Sequence, residues 1–222
     1  MRGLRRVCTC LGSACLALLA SAFTPDLAAS GDDRPPPLKL TGWPRQLSWD
    51  DFRVVEGPAE SRFDRDAGFY STFDVTNFEY WRSAPGVFQV RSVSIEVMVE
   101  ENRWVRRGRQ SPALLGHEQG HFDITGLSAH CASRAILRLR GDSVDSLREK
   151  GKQIVRDQAA TCARWNKEYD EATNHGLDRR AQQRWADRIA KAIRDDYASL
   201  DEGADEAQPA EPEKKAARRK GR

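Results

Sequence analysis

The hydrophobic period of this chain changes once, at Ser111-Pro112, and that change limits what it can fold into. Before it, "GVFQVRSVSIEVMVE" alternates. Val93, Ile95, Val97 and Val99 fall on one face, with Ser94, Glu96, Met98 and Glu100 on the other, which is the period of a half-buried strand. Trp104 reads as its continuation. "AGFYSTFDVTNFEYW" is aromatic and β-branched and also reads as strand, and "RQLSWDDFRVVEG" is an apolar-aromatic segment closed by Gly57-Pro58. After Ser111, an N-cap residue followed by Pro at the first helical position, the pattern is helical to about Leu139, with Gly141 as a stop. A second helix is expected from Val144 to Thr173, capped by Asp142 or Ser143 and broken at Asn174-His175-Gly176. A third is expected over 179–200, with Trp185, Ile189, Ile193 and Tyr197 on one face. The expected class is α+β: a small β-rich N-terminal half packed on a helical half.

The ends of the chain are set apart from this unit. "MRGLRRV" is a basic n-region, "CTCLGSACLALLASAF" is apolar, and Ala20-Ser21-Ala22 is an A-x-A cleavage signal, so 1–22 reads as a secretory signal peptide. A retained anchor or lipid attachment at Cys15 fits less well, because the run is short for a span and continues past that cysteine. Residues 23–40 read as a Pro-, Asp- and Ala-rich linker, 41–200 as the domain, and 201–222 as a charged, disordered tail. The expected location is periplasmic or secreted, with no stable membrane insertion once the signal is removed. A formal charge of +3 from 36 basic and 33 acidic residues, without a basic stripe, argues against nucleic-acid binding. Signal removal leaves Cys131 and Cys162, a candidate disulfide in an oxidising compartment. In a simple helical hairpin the two would be offset by roughly 13 Å, so a bridge needs a kink or a steep crossing.

The helix after Ser111 contains "LLGHEQGHFDIT". His117 and His121, four residues apart, lie on one helical face and can reach one metal ion. Glu118 is about 100° round the helix, too far to be a natural ligand but placed to take a proton from an attacking water. Gly116, Gly120 and Gly126 each weaken the helix by about 1 kcal/mol unless something packs closely against them. A catalytic zinc has three protein ligands and an open position. His130 is near the opposite face, and Asp123 points away and suits an orienting or structural role. The third ligand is sought in "WNKEYDEATNHGLD", with His175 favoured and Asp170, then Glu168 or Glu171, as carboxylate alternatives. Tyr169 is either a buried structural tyrosine or a donor to a developing oxyanion.

"LSWDDF" at 47–52, "LLGHEQGHFDIT" at 114–125 and "YDEATNHG" at 169–176 together resemble a family of exported bacterial proteins. That family is described as zinc-dependent proteases and carried as a domain of unknown function within the HExxH zincin group. The resemblance covers about residues 45–177. It implies a zincin-like fold, Zn²⁺ as cofactor, His117 and His121 as ligands, Glu118 as catalytic base, and it strengthens His175 as third ligand. The expected function is hydrolysis of peptide bonds in a peptide or protein substrate, with Val93–Val99 placed at a sheet edge to pair with that substrate. The alternative is a non-catalytic, zinc-stabilised envelope binding or scaffold protein, whose metal site would be closed by a fourth protein ligand such as Asp170 joining His175.

Overall fold

The computed structural model describes residues 38–56, 65–195 and 199–201. The signal peptide, the linker up to residue 37, the Gly57-Pro58 closure, Tyr197 and the tail from 202 onward lie outside the described residues.

The strands are β1 (Leu38–Thr41), β2 (Arg53–Val55), β3 (Ala67–Gly68), β4 (Ser71–Ala84), β5 (Val87–Val99), β6 (Trp104–Arg106) and β7 (Arg140–Gly141). The helices are α1 (Pro112–Leu137), α2 (Val144–Thr173) and α3 (Arg179–Arg194). β4 and β5 form a long antiparallel hairpin, with Ser71 opposite Val99 and Ala84 opposite Val87. The alternation in β5 sorts as expected: Val93, Ile95 and Val97 are buried, while Glu96 and Met98 are exposed. β2, β6 and β3 make a second, smaller sheet. The architecture is α+β, a β-rich N-terminal region packed against three helices.

Three expectations change. Val93–Val99 is not an open edge. β4 pairs with it on one side, and β1 lies parallel along the other, Leu38 opposite Val93 and Thr41 opposite Glu96. β1 takes in the last three residues of the stretch assigned to a linker, because Leu38 and Leu40 pack against the core. Trp104 does not continue β5. A turn at 101–102 intervenes, and Trp104 pairs in the second sheet. α3 stops at Arg194 rather than 200. Leu200 is buried by itself, and Asp201 accepts from the Trp165 indole at 2.9 Å and pairs with Arg164.

α1 starts as its sequence dictates, with Ser111 Oγ accepting from Leu114 N–H at 3.2 Å and Pro112 at the first position. It lies between β4 and β5 on one side and α2 and α3 on the other. It is therefore buried nearly all round, with Phe122, Ile124, Leu127, Ala129, Ala132 and Ile136 as its buried apolar side chains. Two of its glycines are explained by close approach. A Cβ on Gly126 would lie 2.1 Å from the Trp43 ring, and one on Gly120 would lie 2.4 Å from the Tyr169 hydroxyl. The "LSWDDF" segment docks on this helix. Leu47 N–H donates to Gln119 Oε1 at 2.8 Å, and Phe52, Phe69 and Phe122 pack ring on ring. Among the described residues no helix is long and apolar enough to cross a membrane.

Candidate metal centre

α1 and α2 are antiparallel with matched steps. His117 meets Asp170, His121 meets Asn166, and Thr125 meets Cys162, so four residues forward on α1 is four back on α2. This register separates the cysteines. It sets Cys131 level with Arg156, six residues from Cys162, about 9 Å along the axis. The structure accordingly has no Cys131–Cys162 bridge. Cys162 instead lies 3.8 Å from Thr125 Oγ1.

Three donor atoms converge where the helices meet. His117 Nε2 and His121 Nε2 are 3.2 Å apart, and Asp170 Oδ1 lies 3.2 Å from the first and 3.1 Å from the second. Asn166 decides how His121 presents itself. Its Nδ2 donates to Cys162 O at 3.0 Å, which turns Oδ1 towards His121 Nδ1 at 2.6 Å. An amide oxygen only accepts, so Nδ1 carries a proton, and whenever the ring is neutral the lone pair of Nε2 is turned inward. The lone pairs of His121 and the carboxylate thus point at one spot beside His117 Nε2. Such an arrangement repels unless a proton or a metal ion sits in it. Donor atoms held at 2.0–2.1 Å by a tetrahedral ion are about 3.3 Å apart, close to the separations found here. His117, His121 and Asp170 therefore form a candidate metal site, compatible with a metalloenzyme.

A proton on His121 Nε2, donated to Asp170 Oδ1, would compete with a metal ion for that spot. Burial alone would raise the Asp170 pKa, but hydrogen bonding from His117 and His121 and the charges of His121 and Arg65 outweigh it and hold the carboxyl well below the usual range. Burial lowers His117. It would lower His121 too, but Asp170 overrides it and raises that imidazole. Glu118, 4% exposed, is pushed up to about 7, chiefly by burial, with the charges of His121 and Arg65 opposing.

The structure brings together His117, His121 and Asp170 and leaves His175 beside them. His175 follows the end of α2, where Asn174 and His175 take φ of 48° and 54°. Its half-exposed ring reaches Asp170 Oδ1 at 3.3 Å through Nδ1 but does not join the converging set. Asp170, one turn earlier on the face towards α1, occupies the position that the sequence favoured for His175. Glu168 and Glu171 pair with Arg164 and Lys167 on the outer face of α2. His130 is buried elsewhere on α1. Asp123 is structural: Oδ1 accepts from the Trp43 indole at 2.9 Å and from Gln119 at 3.0 Å. Tyr169 is the buried structural tyrosine, stacked on His117 with centroids 4.8 Å apart and its hydroxyl directed at His117 O.

Two contributors escape the sequence. Asn166 lies four residues before Asp170, mirroring the His117–His121 spacing, and that mirror was the available signal. Arg65, whose Nη1 lies 3.4 Å from Asp170 Oδ2, comes from a distant segment and carried none.

A family model described as "Bacterial protein of unknown function (DUF922)" matches residues 60–176, more than half of the chain. The chain belongs to this family. The DUF922 match takes in Arg65, His117, Glu118, His121, Asn166, Asp170 and His175, so the whole candidate centre lies inside it. No curated protein and no solved structure matches the chain.

Proposed function

We propose that this chain is an exported zinc-dependent metallopeptidase of the zincin type, with His117, His121 and Asp170 as ligands and Glu118 as general base. The observation that carries the reading is the convergence of two imidazole nitrogens and one carboxylate oxygen, each about 3.2 Å from the others, on the helix that also bears a buried Glu118. Two histidines and a carboxylate form a donor set that suits zinc and leaves a position open. Zinc in that site would supply a Lewis acid, polarising a carbonyl and lowering the pKa of water. Glu118 takes the proton of the attacking water and returns it to the leaving amine. Asn166 keeps His121 in the ligating tautomer, and Tyr169 fixes the plane of His117. The substrate is a peptide or protein met in the periplasm or outside the cell.

The test is metal content and turnover together. Wild type and Glu118→Gln each bind one zinc, and only wild type cleaves a peptide library, with Glu118→Gln slower by at least about 10²-fold. An active Glu118→Gln enzyme sinks the assignment. Asp170→Ala loses zinc. The contact of His175 with Asp170 favours one second reading, a closed zinc site in a non-catalytic binding or scaffold protein. That reading requires His175→Ala to lose zinc as well, whereas the peptidase reading requires it to keep zinc.

A further inference from the structure

We propose that Arg65 is a positioning residue of this centre: its guanidinium holds Oδ2 of Asp170, so that Oδ1 alone faces the ion. The proposal rests on the metal reading above and adds to it a residue from outside the helical pair.

The two oxygens of Asp170 have different surroundings. Oδ1 lies within 3.1–3.3 Å of His121, His117 and His175. Oδ2 faces Arg65 Nη1 at 3.4 Å. A carboxylate can bind a cation through one oxygen or through both. A fixed positive charge on Oδ2 selects the first mode and leaves a coordination position for water or substrate.

Arg65 is not an ordinary surface arginine. Its side chain is 44% exposed, but its base is anchored. The buried Arg106 donates Nε–H to Arg65 O and its backbone N–H to Asp66 O, both at 2.8 Å. Arg109 pairs with the Asp66 carboxylate at 3.4 Å. The second sheet therefore sets the start of β3 where the guanidinium can reach α2. Its partner is also constrained, because Asp170 is 15% exposed and held at Oδ1. An exposed, mobile ion pair contributes little, but a charge held against an immobilised ligand can orient it. The charge of Arg65 also repels a bound cation, so affinity mixes two opposing effects. Coordination number is the cleaner readout.

The experiment loads the stripped full-length protein with Co²⁺ and records the visible d–d bands, which weaken as coordination number rises. Wild type and Arg148→Gln, which loses only an exposed pair with Asp145, bind one cobalt with intense bands. Arg65→Gln, with unchanged far-UV circular dichroism, gives bands several-fold weaker as Oδ2 swings onto the metal, and Arg65→Lys restores them by returning the charge. Wild-type bands in Arg65→Gln overturn the proposal. Should Arg65→Gln not fold, Arg65→Met, which keeps the apolar stem, is read in the same way. A wild type that binds no cobalt overturns both this proposal and the metal site. A wild type that binds cobalt as described but an active Glu118→Gln enzyme overturns the peptidase mechanism and leaves the role of Arg65 standing.

Discussion

α1 carries polar side chains on two sides, and they end in opposite states. Towards the loop at 43–47, Gln119 accepts from Leu47 N–H and donates to Arg45 O and Asp123, while Asp123 takes the Trp43 indole. That network is complete. Towards α2, His117, His121 and Asp170 bring together more acceptors than protons, and His117 Nδ1 is buried without a hydrogen-bond partner. Buried polar groups in proteins are nearly always satisfied, so the exceptions call for an explanation. The first network fastens a loop. The second stays open and is the candidate metal site. Polar residues of similar type, within two turns of one helix, are told apart only by whether their hydrogen-bonding capacity closes.

The largest effect is expected on the fastened side. Gly126→Ala sets a Cβ 2.1 Å from the Trp43 ring, and the destabilisation in urea should exceed about 3 kcal/mol. A loss well under 1 kcal/mol would mean that the loop yields and is not fastened. The next effect belongs to the open side and is read without metal. Glu118 has a folded pKa of about 7 against an ordinary 4.5. Between those values the folded chain holds a proton that the unfolded chain releases, so stability falls as pH rises through this window, by about 3 kcal/mol. Glu118→Gln removes that slope, and the difference between the two urea midpoints across the window reports Glu118 together with its coupling to His121. Parallel curves would mean that Glu118 reaches water. Asp123→Ala comes last. It strands the Trp43 indole and one Gln119 N–H, costs about 2 kcal/mol, and leaves zinc content unchanged. Loss of zinc there would erase the distinction between the two sides.

What the sequence made legible is local. Ser111 and Ser143 cap their helices through their own hydroxyls, and the period-2 run of β5 sorts its faces without help from elsewhere. His117 and His121 share a face because helix geometry requires it. The third donor was not local. His175 is the stronger ligand type, but its side-chain direction depends on the left-handed turn at 174–176. Asp170 depends on the α1–α2 register, which is set by Tyr169 lying on Gly120. The same register parts the two cysteines. Strand edges are equally non-local. Nothing in Val93–Val99 announces that Leu38–Thr41 will lie along it, more than fifty residues away in the chain.

The matched four-residue steps of α1 and α2 make the centre a vernier. One residue inserted into α1 between His121 and Leu137 rotates the two histidines by about 100° and shifts them by about 1.5 Å against the rest of the helix, and one inserted into α2 before Asn166 does the same to Asp170. Either the donors part or the helix lifts from the sheet. An insertion in the connection at 138–143 leaves both scales intact and disturbs at most the two-residue pairing of β7 with β5, and even doubling a loop's length adds only about 0.6 kcal/mol. Changes in length are therefore affordable in that connection and ruinous within the two helices that it joins.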